Sequence, residues 1–323
     1  MTTVVFETTA VDCAEGESLL DALLRDGHDI PNGCRSGVCQ SCLLRSDTDE
    51  PITAAQSGLS DAQKQLNYFL SCQCIPKEPM TVQRADASNS RVVAHVVAKE
   101  ALNSRVILLR LQADMHYQAG QYVTLWKDQS LARSYSLASL PNDDGLIDLH
   151  IRQYPNGQFS SWVNDEVAMG DTIEVQGPLG QCIYTPCSEQ SILLAAIGTG
   201  LAPIWGVLQD ALKHNHHGSI DVVVAAQYAT DFYLLDQLQQ CVDQHPNVSL
   251  HLVCLHEAES CDDVEITQGD VYQYCSQHFS TLAGYKVFLC GAQSFVTKLR
   301  KQCFLSGASM ADIATDSFIP FST

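Results

Sequence analysis

The sequence predicts a multidomain chain: a small α+β unit, then an antiparallel β-barrel, then a doubly wound α/β domain. Three observations carry this expectation. Three cysteines crowd between residues 34 and 42 amid short strand and helix patterns, residues 92–176 repeat strand patterns separated by turns, and from residue 190 apolar β runs alternate with helical ones. At 323 residues the chain is long enough for two or three domains, each burying its own core. Boundaries fall at 1–85, 90–186 and 190–323, with the small polar run Arg84-Ala-Asp-Ala-Ser-Asn-Ser as the first linker.

Composition narrows the classes. Hydrophobic residues make up 46% and charged residues 17%, so the whole length reads as globular, with neither an internal repeat nor a low-complexity tract. A net charge of −19 argues against nucleic acid or an anionic membrane surface as partner, because both reward Lys and Arg; it suits a basic docking partner instead. The start Met1-Thr-Thr-Val-Val-Phe-Glu lacks a basic segment followed by an apolar core, and the longest apolar stretch, 192–204, is broken by glycines and a proline. Neither a signal peptide nor a membrane span is expected. The 14 cysteines are then expected to be reduced or metal-bound, and the chain cytoplasmic.

In chain order, residues 3–8 are rich in β-branched side chains and predict a strand, with a second near Val11. Residues 17–26 place Leu or Ala at 19, 20, 22, 23 and 24 before Gly27, the pattern of a short amphipathic helix. Then comes Gly33-Cys-Arg-Ser-Gly-Val-Cys-Gln-Ser-Cys42, in which Cys34, Cys39 and Cys42 have the spacing C-x4-C-x2-C of a plant-type [2Fe-2S] centre. Four thiolates must converge on two irons, three from one tight loop and one from a remote segment, and Gly33 and Gly37 permit the positive φ such a loop needs. Zinc sites more often pair two C-x2-C units, and disulfides need an export route. A capped helix over 58–66 leads back to Leu70-Ser-Cys72-Gln-Cys74, where spacing leaves the fourth ligand open between Cys72 and Cys74; residues 80–83 close the unit as a strand.

Strands are predicted at 92–98, 104–111, 122–126, 133–138, 146–152 and 172–176, with Pro141-Asn-Asp-Asp-Gly145 among the turns, which suggests the barrel. Arg133-Ser-Tyr135-Ser136 supplies from one strand a cation for a pyrophosphate, a flat aromatic for a ring system and a hydroxyl, since alternate residues project the same way. Gly157-Gln-Phe-Ser160-Ser161-Trp opens a helix whose free N–H groups suit phosphate. In the last domain the strand runs are 191–197, 220–226, 248–255 and 285–290. The first runs into Gly198-Thr199-Gly200-Leu-Ala-Pro203, a glycine turn opening a helix, and the last ends in Cys290-Gly291 at the edge where open α/β sheets bind ligands.

These motifs carry a resemblance. The cysteine segment resembles the ferredoxin domain of plant and bacterial [2Fe-2S] proteins, which implies a β-grasp fold and, as fourth ligand beside Cys34, Cys39 and Cys42, the first cysteine of the C-x-C pair, Cys72. The run from Arg133 to Gly180 resembles the flavin domain of the ferredoxin-NADP reductase family. That resemblance implies FAD, with Arg133 on its pyrophosphate, Tyr135 on the isoalloxazine, Ser136 near N5, Gly157 and Ser160 at the pyrophosphate, and the backbone of His150, Ile151 and Arg152 lining the flavin. It further implies a nicotinamide dinucleotide at Gly198, Thr199, Gly200 and Pro203, with Cys290 and Gly291 beside the nicotinamide and Cys290 orienting the hydride donor. This chain has Cys290-Gly-Ala-Gln-Ser where many relatives have C-G-x-P. Phe318 and Phe321 resemble residues that cover the flavin face, with core packing as the alternative.

The domain order is similar to that of reductase components of multicomponent oxygenases. It implies electrons passing from NADH through FAD and the cluster to an electron-accepting protein, the oxygenase component. The other readings are an electron donor to a non-oxygenase enzyme such as a nucleotide-sugar dehydrase, and a redox sensor without turnover. NADH is preferred to NADPH because Gln227-Tyr-Ala-Thr-Asp231-Phe, after the second strand, holds no cation, while Lys298, Arg300 and Lys301 are assigned to a helix end. His214, His216 and His217 read as a solvated helix terminus, and Cys13, Cys182 and Cys241 as packing.

Overall fold

Alternating burial builds the first sheet: in β1 (Thr2–Phe6) and β2 (Thr9–Cys13), Val4, Phe6, Val11 and Cys13 turn inward while their neighbours face out. The computed structural model describes residues 2–32, 35, 37, 42–47, 52–85, 91–128, 131–256 and 265–318, and divides into two units, Met1–Asn89 and Ser90–Thr323. Cys34, Cys39 and Phe321 lie outside the described residues, as do most of the loop around the first two and much of the linker.

In the first unit α1 (Leu19–Arg25) is capped by Ser18, whose hydroxyl accepts from the Asp21 N–H at 3.2 Å, and it buries Leu19, Leu20, Ala22 and Leu23. There follow β3 (Leu43–Ser46), α2 (Asp61–Gln65) with a Ser60–Gln63 capping box, β4 (Tyr68–Leu70) and β5 (Met80–Arg84). The sheet order is β2-β1-β5-β3-β4, with β1 and β5 parallel and one helix packed across, the β-grasp arrangement. Strands β3 and β4 escaped the sequence reading for a simple reason. They are three or four residues long, and Tyr68-Phe-Leu70 is buried at every position, so no alternation marks it.

The second unit opens with β6 (Arg91–Ala101), β7 (Val106–Gln112), β8 (Tyr122–Trp126), β9 (Ala132–Ser136), β10 (Leu146–Arg152), α3 (Gln158–Asp165) and β11 (Thr172–Leu179). Its antiparallel order is β10-β7-β6-β11-β8-β9, and a bridge between Leu137 and Leu149 joins the two end strands into a barrel. Leu109, Leu111, Val123, Leu125 and Leu149 fill it, all at 0% exposure.

The chain continues through β12 (Ile192–Ile197), α4 (Leu201–Lys213), β13 (Ile220–Ala226), α5 (Leu235–Gln244), β14 (Val248–Cys254), β15 (Ile266–Gln268), α6 (Val271–His278), β16 (Lys286–Ala292), α7 (Gln293–Leu305) and β17 (Ile313–Phe318). All six strands are parallel in the order β15-β14-β13-β12-β16-β17, covered by helices on both faces, which is why β12 and β16 are apolar without alternation. Strand order reverses between β12 and β16, and ligands of such sheets bind at the carboxyl ends there.

Two local expectations are corrected. Lys298, Arg300 and Lys301 lie within α7, not at its end, and Lys298 stands 3.6 Å over the Tyr272 ring. His216 is buried, its Nδ1 3.1 Å from the Tyr184 hydroxyl, because the turn after α4 folds back under that ring. Among the described residues no helix is long and apolar enough to cross a membrane. We predict that Leu149→Ala, which empties the barrel beside its closing bridge, lowers stability by about 2–5 kcal/mol in chemical denaturation followed by far-UV circular dichroism.

Candidate functional site

At the carboxyl edge of the parallel sheet two stretches of backbone nearly touch. A Cβ added at Gly200 would sit 2.1 Å from the Cys290 carbonyl oxygen, and one added at Gly291 would meet Ile197 Cγ2 at 2.6 Å. Gly291 also has φ +133°, a conformation few other residues adopt. Glycine at 200 and 291 lets the Gly198-Thr199-Gly200 turn lie against Cys290-Gly291, and the bare backbone of the three glycines suits a pyrophosphate. Pro203 is buried in the first turn of α4, where its missing N–H costs nothing.

The barrel meets this edge through β9. Arg133 and Tyr135 share a face, with Tyr135 5.7 Å from the Phe159 ring and the Arg133 guanidinium Nη1 donating to the Ala132 carbonyl at 2.7 Å. Ser136 turns the other way, is buried, and donates to Asp316 Oδ2 at 2.7 Å. Asp316 on β17 is the register partner of Cys290, whose Sγ lies 3.5 Å from Cys182 Sγ. Burial raises the Asp316 carboxyl, with the Ser136 hydrogen bond pulling the other way. Burial, followed by the Cys182 thiol, pushes Cys290 well above an ordinary thiol, and burial likewise raises Tyr135, opposed by Arg133.

His150 and Ile151 are buried in β10, and His150 Nδ1 lies 3.2 Å from the Tyr233 hydroxyl of the α/β part. Beside the start of α3 runs a groove of about 430 Å³ lined by Arg105, Arg152, Gln153, Tyr154, Asn156 and Ser161. Arg152 reaches the glycine turn after β12, its Nη1 3.3 Å from where a Gly198 Cβ would be. The Ser160 hydroxyl braces the loop before α3, accepting from Tyr154 N–H at 3.2 Å and donating to the Gly157 carbonyl at 3.3 Å. A Cβ at Gly157 would lie 2.5 Å from Ser160 Oγ, so a side chain there would push that hydroxyl out of its two hydrogen bonds. Phe318 ends β17, half-buried and paired with Ala292.

In the first unit Cys42 and Cys72 are brought together. The Cys42 carbonyl accepts from both the backbone and the hydroxyl of Ser71, at 3.1 and 2.9 Å. The Gln73 amide donates to the Arg35 carbonyl at 3.1 Å and reaches Cys72 Sγ at 3.5 Å, and Gly37 at φ +82° lies under the same side chain. Cys72 is half-buried at this loop, whereas Cys74 is 4% exposed in the helix-covered core.

Comparison with known proteins follows the same three parts. Family models match a 2Fe-2S iron-sulfur cluster binding domain over residues 4–77, an oxidoreductase FAD-binding domain over 93–184 and an oxidoreductase NAD-binding domain over 194–301. The chain is 33% identical over 252 residues to the reductase subunit of an aromatic O-demethylase from an Amycolatopsis species, covering 73% of this chain and 75% of that one. It belongs to the ferredoxin-NADP reductase superfamily.

This ferredoxin-type reductase is an oxidoreductase with [2Fe-2S], FAD and NAD modules in one polypeptide. It is 29% identical over 323 residues to the ferredoxin–NAD(P)(+) reductase component of the naphthalene 1,2-dioxygenase system of Pseudomonas putida, covering 94% of each. The structure of the Amycolatopsis cytochrome P450 reductase GcoB resembles it over 99% of both chains with a TM-score of 0.66 at 26% identity. The reductase's site also contains residues the sequence did not signal: Asp316, Tyr233, Cys182 and Arg105. Each is distant in sequence from its partner, so no local pattern points to the pairing.

Burial holds His150 down to about 4 against an ordinary 6.5. As pH falls from 6.5 toward 4 the unfolded chain takes up a proton that the native histidine refuses, so stability drops, by about 3 kcal/mol for the full span. His150→Gln should flatten this part of the pH profile, read as the difference in denaturation free energy between pH 7.5 and 5 for variant and parent.

Proposed function

We propose that this reductase takes a hydride from NADH at the carboxyl edge of its last sheet and delivers electrons singly, from its cysteine loop, to the oxygenase component of a multicomponent system. FAD, when bound, exchanges a two-electron hydride for single electrons, and a plant-type cluster, near roughly −400 mV, offers them to an acceptor. The supporting observation is the 2.7 Å hydrogen bond from Ser136 to Asp316, which ties the flavin-type strand motif to the strand flanking Cys290.

In this reading residues 90–186 form the flavin barrel and 190–323 the nicotinamide domain. Arg133 balances the FAD pyrophosphate, Tyr135 packs on the ring system, and Ser136, with its proton held toward Asp316, presents its oxygen at N5. His150, Ile151 and Arg152 line the cofactor from β10, while Gly157 and Ser160 shape the start of α3. Gly198, Thr199, Gly200 and Pro203 receive the dinucleotide, Cys290 and Gly291 set the position of the nicotinamide, and Phe318 flanks the flavin face. Cys290, buried and raised as a thiol, acts by shape and not as a base. Cys34, Cys39, Cys42 and Cys72 ligate the iron. Reductases of dioxygenase and O-demethylase systems among the relatives support an oxygenase as acceptor.

Anaerobic addition of NADH to the purified chain should bleach both flavin and iron-sulfur absorption, and ferricyanide should then be reduced with turnover; a chain that holds both cofactors yet stays coloured refutes the proposal. Cys72→Ser should abolish the iron-sulfur absorption, whereas Cys74→Ser, in the core, should retain it. The opposite pattern would transfer the ligand role to Cys74.

A further inference from the structure

One short turn grips the cysteine segment at two places. Ser71–Gln73 forms a single turn of 3-10 helix between β4 and β5. At its start the Ser71 N–H and hydroxyl both donate to the Cys42 carbonyl, at 3.1 and 2.9 Å. At its end the Gln73 side-chain amide donates to the Arg35 carbonyl at 3.1 Å. The turn therefore holds Arg35 and Cys42, near the two ends of the Cys34–Cys42 sequence, with Cys72 between its two grips. This is the arrangement a remote fourth ligand needs.

The Gln73 amide also faces its neighbour. Its Nε2 lies 3.3 Å from the Cys72 carbonyl oxygen and 3.5 Å from Cys72 Sγ. Both carbonyls around this amide can only accept, so the atom facing them is the nitrogen, and the sulfur meets an N–H group. The side chain is supported in that pose by Gly37, at φ +82°, where a Cβ would come 3.3 Å from Gln73 Cγ. Gln73 itself is exposed, so changing it empties no core.

We infer that Gln73 tunes the iron-sulfur centre: its amide donates an N–H···S hydrogen bond to the Cys72 thiolate and raises the reduction potential of the cluster. This rests on the reading of Cys72 as an iron ligand. Reduction adds negative charge, and a donor beside a ligand sulfur stabilises it, so the reduced form is favoured. Hydrogen bonds to the sulfurs are among the factors that spread the potentials of such clusters.

The experiment is a reductive titration of the holoenzyme at neutral pH, with the cluster followed by EPR and the flavin by its visible absorption, for the parent, Gln73→Met and Gln73→Glu. Met keeps the length and removes the donor; Glu keeps the shape and adds a negative charge. At a fixed solution potential Gln73→Met should lower the ratio of reduced to oxidised cluster about tenfold, equivalent to about 59 mV for one electron, and Gln73→Glu should lower it further. The flavin midpoint should stay where it is in both. A Met variant whose cluster titrates within about threefold of the parent overturns the inference, as does an equal shift of flavin and cluster, which reports a general change in the fold. Should Gln73→Met lose its cluster, Gln73→Glu gives the same readout; loss from both makes Gln73 a structural clamp alone and likewise overturns the tuning. A Cys72→Ser chain that keeps its cluster overturns the ligand reading itself, a distinct result.

Discussion

Two backbones meet at Gly200 and Cys290, and the second unit's geometry depends on that contact. Any side chain at Gly200 would overlap the Cys290 carbonyl, so the first and fourth long strands of the parallel sheet can bring their ends together only while that position is glycine. The approach does more than close a turn. It fixes Cys290, and with it the register of β16 against β17, and this register places Asp316 opposite Ser136 of the barrel. A local steric fact in one loop thus determines how an antiparallel barrel and a parallel sheet share a polar contact.

That contact is made between groups held away from water. Asp316 is raised by burial, His150 is lowered by it, and Tyr233, on which His150 rests, is raised. All three shifts favour the neutral form of the group. Directional hydrogen bonds at such a junction fix orientation, while burial works against the charged form of each group. Apolar residues in the same places would hold the two parts together with less control over angle, and redox chemistry between bound rings depends on angle and distance.

How much of this was legible in the sequence depended on how far each signal reached along the chain. The turn Gly198–Gly200, Cys290-Gly291 and the Arg133–Ser136 strand are local patterns, and the structure gathers them in the second unit. The long barrel strands and the apolar runs of the α/β part were readable because hydrophobic patterning has a period. Strand β17 was not, because Thr315, Asp316 and Ser317 interrupt its apolar character, and an edge strand needs none to pair with β16. Pairings such as Arg105 with Asp231, or Cys182 with Cys290, involve residues separated by a whole domain, and no window on the sequence contains both. The basic residues of α7 lie inside the helix because nothing from Lys301 to Leu305 breaks the helical pattern, and a cluster of cations does not by itself mark a helix end.

The charge distribution sharpens the point. A chain of net charge −19 repels dinucleotide phosphates at long range, so binding them requires cations that act at close quarters. Arginines do appear at the groove and on β9: Arg105 and Arg152 line the first and Arg133 stands on the second. They differ in how their charge is used. Arg105 is ion-paired with Asp231, while Arg152 extends toward the glycine turn after β12. Because exposed charges farther away than about 8–10 Å are largely screened at physiological salt, the field near these two arginines is set by the groups beside them and not by the net charge of the chain.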